Sequence, residues 1–401
     1  MAITRRDLLR IACATGVGVL VPSLAQASGA ITAPDWTRSL ILVELDGGND
    51  GLNTVVPWQD ATYLGRRGAL AVQAADTLNL DSGPLRLNKA LGSGWMSALW
   101  GNGELAIVRG VGMANPNRSH FRGIDIWNTG SDPGTVLGDG WLRRAYDATA
   151  VDQSTLTAHG VLLARPTSNP MGGNGMRVLS LSSPKAFRTE AAGLASPSAA
   201  VANPALQHIL TVQRDVVDAK VDFDARLTTL PTFAAAFPTG RFGDQCRSVA
   251  QMITAGLPIP VYKLSLGGFD THSAQRTKHD GLLAQLGQGL KALRDALAEK
   301  GVLDRALIVS YSEFGRRVEA NDSGGTDHGT AAAHLVIGST ANVVGGWYGA
   351  QPSLTDLDAR GDLKSQLDFR RLYATGLAFL GLPSAGVFSG TFAPVDGLLR
   401  P

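Results

Sequence analysis

Cysteine is nearly absent: Cys13 and Cys246 are the only two in 401 residues. Neither stands in a CxxC or CxxCH arrangement, which excludes a paired redox motif and covalent haem attachment. Net charge is nearly absent as well, with 36 Lys and Arg against 34 Asp and Glu. Arg5, Arg6, Arg10 and Asp7 lie close to the N-terminus, and without them the balance is 33 to 33. With no basic excess, neither nucleic acid nor an anionic membrane is an expected partner. Trp36, Trp58, Trp95, Trp127 and Trp141 are scattered rather than interleaved with basic residues, which argues against a stacking platform for single-stranded nucleic acid. The Gly47-Gly48 turn is not GxGxxG, and no acidic residue follows a strand at the spacing a dinucleotide site needs. No apolar run reaches membrane-spanning length, and there is neither a fixed-period repeat nor a long charged block.

The N-terminus carries the first positive signal. Thr4-Arg5-Arg6-Asp7-Leu8-Leu9 is a twin-arginine pattern, the apolar run 11–21 is too short to span a bilayer, and Ala25-Gln26-Ala27 is a small-x-small cleavage site. The expectation is a signal peptide over residues 1–27, export of the folded chain by the twin-arginine translocase, and a periplasmic or secreted location. Cys13 then leaves with the leader, so Cys246 has no partner for an internal disulfide. Residues 28–401 are enough for one large α/β domain.

Continuous apolar runs predict buried strands at 39–45, 105–108, 261–266 and 306–311. Polar, glycine-rich or turn-forming residues follow each strand. A leucine stripe (Leu282, Leu283, Leu286, Leu290, Leu293, Leu297) predicts a sheet-covering helix over 278–300, and a second helix over 370–380 ends at Gly381 and Pro383. Strand, helix, strand in that order predicts parallel pairing. The expected fold is α/β, a mostly parallel sheet sandwiched by helices, with four loops converging at the carboxyl edge where such sheets bind ligands. Residues 142–258 are rich in Ser, Ala, Pro and Asn and weakly periodic; they read as an insertion or cap with a long helix around 206–227.

Acidic groups and imidazoles gather in these loops. Asp270 and His272 are two apart, so an extended backbone places both on one face, where they can hold one ion. The competing reading has Asp270 capping the next helix and His272 solvated. Asp327 and His328, between Gly325 and Gly329, form a second pair, with an Asx turn as the alternative. His334 either joins them or packs in the next strand as a hydrogen-bonded histidine, the second being preferred. Ser119 stands just before a helical segment, where a serine is most often an N-cap. His279, in a first helical turn, reads as solvated, and His159 and His208 receive no role. Oxygen and imidazole ligands together suit zinc, manganese or iron.

The ordered motifs Gly47-Gly48-Asn49-Asp50-Gly51-Leu52-Asn53, Ser119-His120-Phe121, Gly267-Gly268-Phe269-Asp270-Thr271-His272, Ser312-Glu313-Phe314-Gly315-Arg316 and Gly325-Thr326-Asp327-His328-Gly329 resemble the exported bacterial family called domain of unknown function 1501. The resemblance covers essentially the whole chain. That family is grouped with the alkaline phosphatase and sulfatase superfamily, which implies an alkaline phosphatase-like fold and metal-assisted ester hydrolysis. Carried over motif by motif, it implies a first-strand ligand at Asp50 or Asp46, with Asp50 favoured, and a nucleophile at Ser119, with His120 as a proton donor and Arg118 or Arg122 as donors to substrate oxygens. It further implies ligands at Asp270 and His272, a carboxylate at Glu313 and a final histidine at His328. Phe314 stands where the superfamily has a histidine, so a second ion would lack a ligand unless Asp327 or His334 supplied it. The expected protein is an exported phosphate or sulfate ester hydrolase using a divalent zinc, manganese, iron or calcium ion, with a metal-activated Ser or water nucleophile. Its substrate would be a small-molecule or polymer ester. The alternative is a non-catalytic exported protein that binds a glycan, polymer or protein partner on the same scaffold.

Overall fold

The computed structural model describes residues 34–163, 169–197 and 203–401. The leader expected over 1–27 lies outside the described residues. Nine strands form the central sheet among those described: β1 (Ser39–Asp46), β2 (Leu105–Gly112), β3 (Gly160–Leu162), β4 (Val178–Ser180), β5 (Val261–Gly267), β6 (Ala306–Tyr311), β7 (Ala332–Gly338), β8 (Gly346–Tyr348) and β9 (Leu367–Asp368). Their order is β8-β2-β7-β6-β1-β5-β3-β4, with β9 also beside β2. Only β7 runs antiparallel to its neighbours, β2 and β6; the other pairings are parallel. The carboxyl ends of β1, β2, β5 and β6 therefore share one edge. The loop entering β7 starts from that same edge because β7 is reversed.

Strand β1 shows why its apolar run is continuous. Ile41, Val43 and Leu45 enter a core on one face with Leu283, Leu286 and Leu290 of the helix α4 (Gln275–Glu299). Leu40 and Leu42 enter the other, with Trp127 of α1 (His120–Thr129) and Leu377 of α5 (Phe369–Leu380). Both faces are covered, so alternation vanishes, and each buried Leu, Ile or Val contributes roughly 1.5–3 kcal/mol of transfer free energy.

The described residues of 142–258 join the sheet and its core. They supply β3 and β4 to the central sheet, the long helix α2 (Pro204–Arg226), and α3 (Arg241–Thr254), whose Cys246 and Val249 share the core with α4. Among the described residues, no helix is long and apolar enough to cross a membrane.

Candidate metal centre

Three imidazoles meet one carboxylate at the carboxyl edge. Asp270 and His272 follow β5, His120 opens α1, and His328 lies in the loop before β7. Asp270 Oδ1 is 3.0 Å from His272 Nε2 and 3.1 Å from His328 Nε2, while Asp270 Oδ2 is 3.5 Å from His120 Nε2. The two Nε2 atoms of His272 and His328 are 2.9 Å apart. The His120, His272 and His328 side chains are 28%, 44% and 23% exposed, so the cluster opens to solvent on one side.

Each ring is held from behind at Nδ1. His120 Nδ1 meets Glu313 Oε1 at 2.8 Å, His272 Nδ1 meets Asp327 Oδ1 at 3.2 Å, and His328 Nδ1 meets the Arg118 carbonyl at 2.8 Å. These partners are acceptors, so an Nδ1 proton satisfies each of them and leaves Nε2 a lone pair for an ion; without an ion, Asp270 is a second acceptor facing Nε2 of His272 and of His328. With both protons on Nδ1, the His272 and His328 lone pairs face each other at 2.9 Å and cannot hydrogen-bond to each other. The Nε2 atom of His120 is buried and has no hydrogen-bond partner. Ligand atoms placed tetrahedrally at 2.0–2.1 Å from zinc lie about 3.3 Å from one another; the separations to Asp270 and between His272 and His328, 2.9 to 3.5 Å, bracket that value. Ligand atoms of His120, Asp270 and His328 all lie within 4.8 Å of one another and could hold a single ion, with His272 beside them and with Glu313, Asp327 and the Arg118 carbonyl as the outer acceptors such sites use to orient imidazoles.

The electrostatics fit this arrangement. Partial burial works to raise the Asp270 carboxyl, but hydrogen bonds from Arg316 and His328 outweigh it and hold the pKa at about 2. The Glu313 hydrogen bond raises His120, whereas burial lowers His328.

Two buried side chains lock the loops together. Arg316 donates to the Gly47, Gly48, Phe269 and Thr326 carbonyls and, at 2.7 Å, to Asp270 Oδ1. Gln275 donates to Asp50 and accepts from the Thr271 and Thr326 hydroxyls. Two glycines make room for this packing. A Cβ at Gly47 (φ 118°) would run into the Asp270 amide, and one at Gly48 (φ 78°) into the Phe314 ring. The Phe314 ring in turn lies 4.9 Å from that of His120 and 4.7 Å from that of His328. Arg316 belonged to a quoted motif but received no role, because its burial is invisible in sequence.

The other expected residues fall as follows. Asp50 is fully buried, ion-paired through both oxygens to Arg67, and caps the helical turn Gly51–Thr54; its oxygens are taken up by these partners and Gln275, and none hydrogen-bonds a cluster residue. Asp46 ends β1 with no side-chain hydrogen bond among the described residues, and burial together with Glu313 and Glu44 raises its pKa. Glu313 and Asp327 stand behind the imidazoles rather than within the cluster. His120 belongs to the cluster, so its Nε2 is not free for the proton-donor role. Ser119 is exposed and is the N-cap residue of α1, its carbonyl accepting from the Gly123 amide, but its hydroxyl makes no capping hydrogen bond. Arg118 pairs with Asp362, and Arg122 with Asp125 and the carbonyls of Asp132, Pro133 and Thr135. His279 is buried, not solvated, and bonds Asn49 Oδ1 at 2.9 Å, because α4 begins one turn earlier than the leucine stripe suggests. His334 packs edge-on to Trp127 in β7, but neither ring nitrogen has a hydrogen-bond partner.

An α/β sheet with an imidazole–carboxylate centre at its carboxyl edge defines the class. The family profile described as protein of unknown function, DUF1501, matches residues 113–393, and the chain belongs to that family. No curated protein matches it. Among solved structures it is similar to a protein in the alkaline phosphatase superfamily from Vibrio parahaemolyticus, at 10% identity and TM-score 0.37, covering 86% of this chain and 66% of that one. It is also similar to a sulfatase from a Pseudoalteromonas species, at 12% identity and TM-score 0.35, covering 91% and 73%. A phosphonate monoester hydrolase from Silicibacter pomeroyi matches at 11% identity and TM-score 0.40, covering 86% and 74%.

Proposed function

We propose that this protein is an exported, metal-dependent hydrolase of phosphate or sulfate esters, with one zinc ion held by His120, Asp270, His272 and His328. The observation that carries the reading is the pair of Nε2 atoms 2.9 Å apart beside Asp270, each ring with an acceptor at its Nδ1. Three imidazoles and a carboxylate are a donor set that suits zinc. When bound, the ion supplies a Lewis acid that stabilises charge on phosphoryl or sulfuryl oxygens and eases deprotonation of the nucleophile. Ser119, whose hydroxyl is exposed and adjacent in sequence to His120, is the candidate nucleophile, with water as the alternative. Asp270, ionised across the working pH range, neutralises part of the ion's charge. Arg316 holds Asp270 Oδ1 in place.

Zinc-loaded protein assayed on p-nitrophenyl phosphate and p-nitrophenyl sulfate is expected to turn over at least one. Ser119→Ala should keep its zinc and lose at least about 100-fold in kcat. Undiminished turnover in that variant would assign the attack to water. No turnover by protein with full zinc would overturn the hydrolase reading. It would leave the non-catalytic binding protein, which the resemblance itself favours at one position: Phe314 stands where the superfamily has a histidine.

A further inference from the structure

β3 and β4 run parallel to β5, so the residues that follow them emerge on the same carboxyl edge as Asp270. A cavity of about 580 Å³ opens at their ends, within the roughly 300–1,000 Å³ that small-ligand sites enclose. Leu163 comes from the end of β3, and Ser180, Leu181 and Ser182 come from the end of β4. Glu190, at the end of the helix Pro184–Glu190, and Arg241 and Asp244, in the first turns of α3, complete the walls. The α3 wall is fixed to β5, because the buried Gln245 amide exchanges two hydrogen bonds with the Ser265 backbone, at 2.9 and 3.1 Å.

The chemistry of the lining narrows the ligand. Leu163 and Leu181 are buried and give one apolar wall. Ser180, Ser182, Glu190 and Arg241 are exposed, and their side chains make no hydrogen bond or ion pair among the described residues. Asp244 is paired with Arg247 at 3.1 Å, which leaves one carboxylate, Glu190, and one guanidinium, Arg241, without a partner of opposite charge. A phosphate or sulfate would meet a like charge in Glu190, and a wholly apolar ligand would desolvate both charges without compensation. An uncharged ligand with adjacent hydroxyls both donates to Glu190 and accepts from Arg241, while its C–H face rests on the leucines.

We propose that this cavity is a saccharide-binding site. It lies outside the metal centre and requires neither zinc nor turnover, so its failure and that of the hydrolase reading are separable. Full-length protein titrated calorimetrically with maltose, cellobiose, lactose and chitobiose should bind at least one with a Kd of about 1 mM or tighter, equally in the zinc-loaded and chelator-treated forms. Glu190→Ala and Arg241→Ala, at side chains that hold nothing else in the fold, should each weaken that binding at least about tenfold at unchanged Tm, and Ser182→Trp should abolish it by filling the cavity. No binding of any of the four, binding that survives all three substitutions, or binding that disappears with the metal would overturn the proposal. Ester turnover without saccharide binding sinks this inference alone; saccharide binding without turnover sinks the hydrolase reading and keeps the site.

Discussion

At the scale of single residues, identity and role come apart. Glu313 is a carboxylate beside a metal-ligating set, yet its Oε1 accepts from His120 Nδ1 and from the Gly47 amide, leaving it behind the imidazole. Glu313→Gln keeps an acceptor of the same shape but removes the charge. Zinc affinity, measured by chelator competition, should fall about 10–100-fold, the range for lost outer-sphere partners. An unaltered affinity would mean that His120 needs no support. Asp50 tests the opposite error. Asp50→Ala strands buried Arg67 and should cost about 3–5 kcal/mol in urea unfolding, while the protein that folds retains full zinc; selective loss of zinc would restore Asp50 as a ligand. His334 is a third case. Burial pushes its pKa down to about 3, below its ordinary value. Below that ordinary value the unfolded chain binds a proton the native state refuses, so stability present at neutral pH is lost as pH falls toward 3. His334→Phe should therefore flatten the acid side of a urea-midpoint against pH curve, and an unchanged slope would refute the assignment.

At the scale of elements, the long strands were legible and the short ones were not. β1, β5 and β6 are buried on both faces, so their apolar runs are uninterrupted and easily read. β3 and β4 have three residues each, too few to establish any period, and the segment containing them consequently read as a cap. The site was legible by position, since the four expected loops and the one before β7 do converge. Roles were not legible, because a histidine's tautomer is set by an acceptor distant in sequence: Glu313 for His120, Asp327 for His272, the Arg118 carbonyl for His328. His279 was misread for a related reason. Its burial depends on where α4 begins, and that start is fixed by backbone bonds from Ala274 and Gln275 to the 323–324 turn.

At the scale of the whole molecule, the centre ties β5, α1 and the loop before β7 to one another, so ion binding must be linked to stability. An ion that binds only the folded chain adds about 2.7 kcal/mol at a free concentration of 100 times Kd. Zinc should raise Tm and chelator should lower it in the wild type, with neither effect in Asp270→Ala. The pH dependence should reverse between the two forms. In the metal-free chain the Glu313 hydrogen bond raises the His120 pKa, so this group's stabilisation is present at low pH and is lost as pH rises through the folded pKa. Zinc requires neutral His120, so zinc-dependent stabilisation should grow over that same rise. A Tm difference between zinc-loaded and metal-free protein that does not widen with pH would contradict this coupling.

The most direct test of the metal centre is elemental analysis by mass spectrometry of untagged protein, purified without chelator and reconstituted with zinc. One equivalent of zinc per chain is predicted, falling to none in Asp270→Ala. No bound metal after reconstitution with zinc, manganese, iron or calcium would contradict the centre itself, and with it the hydrolase built on it.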